Sequence, residues 1–194
     1  WSGPEYAQGW SFNVPTAEFY NSFEEGDSRR DATVLDIEAF AAATGSSYTE
    51  GYDHTGYFNN KYIPRAGESG GQTELNYLTN FRIIRYSDVL LMAAEAYNRG
   101  GIDDGLAQEF LNQVRRRAFG DDDHDISASG TALTDAILEE RKFELSLEGH
   151  RFFDLVRTGR ASSLIAGFVE GKNEVFPIPQ QEVDVSGLTQ NAGY

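Results

Sequence analysis

The chain has 194 residues and no cysteine. That absence excludes a disulfide framework, a thiolate nucleophile and any Cys-based metal site. Positive charge is scarce, with 16 Lys and Arg against 31 Asp and Glu and a formal net charge of -15. A nucleic-acid partner requires a basic footprint for phosphate, so that class is excluded as well. Arg115, Arg116 and Arg117 form the only basic run. On a helix they spread around most of a turn, and they are read as local ion-pair partners and solubilising charge. No stretch reaches the roughly 18 apolar residues of a helical membrane span, and the first residues lack both the charged n-region and the apolar core of a signal peptide. A chain that opens at Trp1 is expected to have lost its start. Nucleophile and phosphate motifs are missing too: there is no Gly-x-Ser-x-Gly and no Gly-rich loop ending in Lys-Ser/Thr. The three histidines, His54, His124 and His150, lack zinc-site spacing.

What is present is enough apolar content, 40%, for one domain with a real core or for part of a larger one. Residues 1–75 are loop-rich, with Gly, Asn, Ser and Tyr frequent and a short helix expected only over residues 32–43. The glycine stretch at 67–71 reads as a flexible surface loop. Residues 76–194 are helical in character. A mostly buried helix is predicted over 81–98 and ends at Gly100-Gly101, and a second follows a cap at Asp103 or Asp104, with Leu106, Phe110, Leu111, Val114 and Ala118 at helical spacing. Two helices joined by so short a turn pack antiparallel, with the dimensions of one tetratricopeptide-like unit. After a polar loop at 120–130 a third helix starts near Thr131 and breaks at Gly149; a last amphipathic turn or two spans 151–158. The tail is expected to be extended, because Pro177 and Pro179 exclude helix around them.

The third helix carries its charge on the wrong side. At about 100° per residue, Glu140, Arg141, Glu144 and Glu148 share a stripe with Leu133 and Ile137, while Glu139, Lys142 and Ser146 form the opposite face. Charges directed at a core need partners, and Arg85, Arg141, Arg151 and Arg157 are available. One reading is a structural ion network of Arg85, Glu140, Arg141, Glu144, Glu148 and Arg151. The other is a glycosidase in which neighbouring carboxylates act as acid and base. The surrounding apolar face and the supply of Arg favour the network.

Asp121, Asp122, Asp123, His124 and Asp125 resemble the start of a calcium loop, but Ile126 and Ala132 stand where such a loop needs Gly and Glu. No metal and no cofactor are therefore expected. Aromatic residues offer better ligand chemistry, because a flat ring with polar groups at its edge suits the C–H faces and hydroxyls of a sugar. The irregular first segment holds many, and the candidates are Trp10, Tyr48, Tyr52, Tyr57 and Asn59. The competing reading is a set of small satellite cores beneath the loops.

Five blocks in order, RYSDVLLMAAEAYN at 85–98, LNQVRRRA at 111–118, ERKFELSLEGHRFFDLVRTG at 140–159, FPIP at 176–179 and QNAGY at 190–194, resemble the C-terminal part of the SusD/RagB family. DSRRDAT at 27–33 looks like that family's upstream Asp-x-Arg segment. The resemblance implies a mainly α fold, a SusD-like helical scaffold with a tetratricopeptide-like helix pair and long irregular loops. Residues 1–75 would supply ligand-binding loops and 76–194 the helical region, together forming part of one larger domain. It further implies a non-catalytic surface lipoprotein of the outer membrane, anchored by an N-terminal lipid absent from this chain. Such a protein would capture a glycan or a peptide for a SusC-like TonB-dependent transporter. A protein-binding helical scaffold is the third reading.

Overall fold

The structure, a computed structural model, describes residues 13–51, 53–62, 78 and 80–194. Trp10, Tyr52 and the 67–71 glycine stretch lie outside the described residues. By internal contacts the chain divides into two units, Trp1–Glu148 and Gly149–Tyr194.

The first unit opens with short elements. Helix α1, Ala17–Asn21, starts at Thr16, whose hydroxyl accepts the Phe19 N–H. Helix α2, Arg29–Thr33, runs directly into strand β1, Val34–Asp36, and helix α3, Ile37–Thr44, follows with Asp36 as its cap. Strand β2, Tyr57–Asn59, pairs antiparallel with β1, placing Leu35 opposite Phe58 and Asp36 opposite Tyr57. The sequence expectation of one helix over 32–43 is therefore corrected at its centre. Val34 and Leu35 are buried and satisfy their backbone on a strand more than twenty positions away, a pairing that local periodicity cannot reveal.

Three longer helices build the core. They are α4, Tyr86–Arg99, α5, Asp104–Phe119, and α6, Gly130–Glu144. Leu90, Leu91 and Ala94 of α4 meet Ala107, Leu111 and Val114 of α5 and Leu133 and Ile137 of α6 in one buried cluster. Each buried leucine or isoleucine there contributes about 1.5–3 kcal/mol. Helix α4 begins five residues later than the sequence pattern predicts. Phe81, Ile83 and Ile84 precede it and are exposed, because Arg85 is extended at the cap position and turns its side chain into the charge network described below. Asp103 caps α5 through the Leu106 N–H, and Gly120 closes it at φ +86, where only glycine is relaxed.

Both ends of this trio are tied. At one end the Asn98 amide donates to Asp104 and to the Gly130 carbonyl and accepts the Thr134 hydroxyl, while the Gly130 N–H donates to Asp104. The α5–α6 connection then runs along α5, held by Gln108 to the Ala128 carbonyl, Asn112 to Ile126 in both directions and Arg115 to the His124 carbonyl. These three side chains lie one turn apart, on one face of α5. At the other end α6 stops at Glu144, four residues short of Glu148. The helical wheel therefore fails beyond that point: Ser146, assigned to the outer face, is buried and donates to the Phe143 carbonyl.

The second unit contains α7, Arg151–Arg157, α8, Ala161–Leu164, and α9, Gln180–Ser186. Asp154, Leu155 and Ala161 are its buried residues. The tail is extended over 176–179 as the prolines require, but α9 follows at once, a helix that the sequence reading did not anticipate. Beyond it the chain returns on the extended segment. Gln190 exchanges two hydrogen bonds with the Ile178 backbone, Asn191 donates to the Phe176 carbonyl and the Tyr194 hydroxyl to that of Val175.

Candidate functional site

The inward stripe of α6 meets a set of cations drawn from distant parts of the first unit. Glu140 is 1% exposed and accepts from Arg29 on one oxygen and from Arg115, at 2.9 Å, on the other. Glu144, 2% exposed, accepts from Arg85 at 2.8 Å, Arg117 at 2.5 Å and Arg29 at 3.3 Å. Glu148, just past the helix, accepts from Lys61 at 2.6 Å and twice from Arg85 at 2.8 Å. Arg29 is itself gripped by Asp27 two residues earlier, and Arg141 pairs with buried Asp88 of α4 at 2.7 Å. Arg151 lies in the second unit, as the first residue of α7.

Sequence reasoning named Arg85 as a partner and missed Arg29, Lys61, Arg115 and Arg117. Arg115 and Arg117 are not merely local charges: each reaches an α6 carboxylate 25 or 27 positions away. Arg116 does pair along its own stretch, with Asp125 and Glu109. Asp125 of the acidic loop is thereby occupied, and among the described residues no group of His, Asp or Glu has metal-binding geometry.

These contacts determine what the carboxylates can do. Burial alone would push the Glu144 carboxyl upward, but the Arg117 charge and the hydrogen bonds from Arg85 and Ser87 hold it at about 2. Burial likewise opposes ionisation of Glu148, and Arg85 and Lys61 outweigh it, lowering its value. Lys61 is drawn down by burial and by Arg85, against the pull of Glu148. Glu144 and Glu148 are thus held charged, with no proton to deliver; burial raises the Glu140 carboxyl against the pull of Arg29 and Arg115, yet both its oxygens are engaged by those guanidinium groups and present no free lone pair to a substrate. The stripe is built to hold elements together.

The aromatic candidates are arranged differently. Strand β2 alternates, so Phe58 faces the small core of Leu35 and Ile37 while Tyr57 faces the other way. Tyr48 packs partly buried on that same small core and stacks on His54 with centroids 5.5 Å apart. Tyr57 stacks on Tyr20 at 4.5 Å, with Arg30 over the Tyr20 ring at 5.1 Å. Tyr48 and Tyr57 thus belong to different ring groups, on opposite faces of one short strand. The Asn59 side-chain carbonyl accepts the Lys61 and Tyr62 N–H groups and forms a turn. A third group, Tyr62 stacked on Phe81 with Arg82 over its ring, was not among the candidates. Among the described residues both ring nitrogens of His54 are buried without a hydrogen-bond partner, and so is the Tyr62 hydroxyl.

Comparison with known proteins places these features in context. The model of the SusD family matches residues 11–173. A SusD-like protein from Formosa agariphila is 29% identical, over 98% of this chain and 42% of its own length. A laminarin-binding SusD-like protein has a solved structure that is 43% identical, with a TM-score of 0.83 over 98% of this chain and 40% of that one. Surface glycan-binding protein A from Bacteroides thetaiotaomicron, solved in complex with laminarihexaose, is 34% identical with a TM-score of 0.81, over 96% of this chain and 42% of that one. The chain spans about two fifths of the length of these relatives.

Proposed function

The chain belongs to the SusD family, and from that premise we propose that it serves non-catalytic capture of a glycan at the cell surface. The observation that carries the reading is its similarity, at 43% and 34% identity, to proteins that bind laminarin and laminarihexaose. The α6 carboxylates agree with it, since each is consumed by arginine or lysine and none is free to catalyse. Contact with sugar would come from the first segment, where Trp10, Tyr52, Tyr57 and Asn59 supply rings and edge polar groups. Of these the Tyr20–Tyr57 stack is the described platform best placed to meet a sugar face. Tyr48 contributes by bracing the strand from behind.

The glycan would pass to a SusC-like TonB-dependent transporter, with the protein held at the outer membrane by an N-terminal lipid. Calorimetric titration with laminarihexaose, with reducing ends assayed in the same samples, tests the core of the proposal. Saturable binding without new reducing ends is expected. Release of reducing ends, or no heat from any member of a neutral oligosaccharide panel, would sink it. Copurification of a transporter barrel with the lipidated protein from outer membranes tests the second part.

A further inference from the structure

A cavity of about 410 Å³ opens beside the charge network of the first unit, within the size range of small-ligand pockets, roughly 300–1,000 Å³. Five cations, Arg29, Lys61, Arg82, Arg85 and Arg117, line it against two carboxylates, Glu144 and Glu148. In a chain of net charge -15 this is a local inversion of sign. The hydrogen-bonding capacity is one-sided as well. Both oxygens of Glu144 and both of Glu148 already accept, and the Glu144 carbonyl takes Lys61 and Arg85. Among the described charged side chains of the lining the spare capacity is on the donor side. Arg117 commits one terminal nitrogen, to Glu144, and its side chain is 56% exposed. Arg82 commits one nitrogen, to the Lys61 carbonyl at 3.4 Å, and its guanidinium is steadied over the Tyr62 ring at 4.9 Å. Two planar forks with unused N–H groups, lining a cavity whose carboxylate oxygens are taken, match the geometry of an oxyanion.

We propose that this cavity is an oxyanion site, in which Arg82 and Arg117 grip a sulfate, phosphate or carboxylate group while Lys61 and Arg85 supply background charge. The fixed network pre-organises it, because Arg85 and Lys61 are held by Glu144 and Glu148 whether or not a ligand is present. The site stands apart from the neutral-sugar reading and does not depend on it. The oxyanion could be free in solution or carried on a glycan as an ester sulfate or a uronate, and the chemistry at the protein is the same.

The test is calorimetric titration of the chain with sodium sulfate, inorganic phosphate and glucuronate, with ionic strength held constant by sodium chloride. Saturable single-site binding of at least one of them is expected. Arg82→Gln and Arg117→Gln should each weaken it about tenfold, the loss of one charge-assisted hydrogen bond. Arg99→Gln removes the same charge outside the cavity and should leave affinity unchanged. Arg82 is exposed, so its variant keeps the fold even if loss of the Arg117–Glu144 pair does not permit it. No saturable binding above the chloride background, or equal affinity in wild type and Arg82→Gln, would overturn the proposal. If a site is found, tighter binding of a glucuronate-bearing disaccharide than of sulfate assigns the anion to a glycan, and the reverse order to a free oxyanion. Silence here leaves the laminarihexaose titration untouched, so the two readings fail separately.

Discussion

Two regions of the first unit handle polar groups in opposite ways. Along α6 and just past it, Glu140, Glu144 and Glu148 are buried and each of their carboxylate oxygens has a cationic donor. Around β2 the rings are half-buried, and among the described residues both nitrogens of His54 and the Tyr62 hydroxyl have no hydrogen-bond partner. Carboxylates so saturated have nothing left to offer a ligand, and the cluster loses much if one of them is removed. An incompletely satisfied cluster is the reverse: its buried unpaired atoms cost stability, while its half-buried ring faces remain available for contact. Where polar groups are complete the molecule is holding itself together, and where they are incomplete it has capacity for something else.

The contrast is broken most severely at Glu144. Replacing it by alanine takes one carboxylate partner from Arg29, Arg85 and Arg117 at once, leaving Arg29 to Asp27 and Glu140 and Arg85 to Glu148, and the expected cost is about 3 kcal/mol in urea unfolding. A loss below about 1 kcal/mol would mean that the network is ornamental. Acid attacks the same point. Glu144 titrates at about 2 in the folded chain against an ordinary 4.5, so the folded value is the lower one. Its stabilisation is complete above pH 4.5 and disappears as the pH falls through 2, a loss of about 3 kcal/mol. Unfolding midpoints that stay level across that window would refute the assignment.

The other side of the contrast is probed at Tyr57. Its alanine variant should lower affinity for laminarihexaose about tenfold while moving stability by only about 1 kcal/mol. Equal loss in both measurements would make Tyr57 a packing residue like Tyr48. The smallest effect belongs to Arg30, whose pair with Asp31 is exposed on both sides. Arg30→Ala should shift stability by less than about 0.5 kcal/mol, which separates surface charge from the buried network.

Much of the helical frame was legible before any coordinates. Leu91, Ala94, Leu111, Val114, Leu133 and Ile137 recur at helical spacing and form the core, and Asp103 marks its cap where a capping residue should stand. The inward direction of Glu140 and Glu144 followed from the same arithmetic. Apart from Arg85 their partners did not, because Arg29 and Arg115 reach Glu140 across 111 and 25 positions and no periodicity links them. The β1–β2 pairing was hidden for the same reason. Around the aromatic segment composition suggested a sugar-binding chemistry, yet the alternation of a three-residue strand was too short to show that Tyr48 and Tyr57 lie on opposite sides. Trp10 and Tyr52 lie outside the described residues.

The two ends of the helical trio also differ in how far along the chain they reach. The knot at Asn98 joins residues 6, 32 and 36 positions apart; at the charged end Arg115 and Arg117 arrive from 25 and 27, but Arg29 reaches Glu140 across 111 positions and Lys61 and Arg85 reach Glu148 across 87 and 63. Closing short loops costs less entropy, so the α4–α5–α6 turn end is expected to assemble early and the long-range contacts of the charged end to close late. Interactions made after the folding transition state govern how long the native state lasts rather than how fast it forms. Stopped-flow chevrons of Glu144→Ala should therefore show a steep rise in the unfolding rate with the refolding limb nearly unmoved. The charge network acts as a latch, and what it sets is the lifetime of the closed molecule.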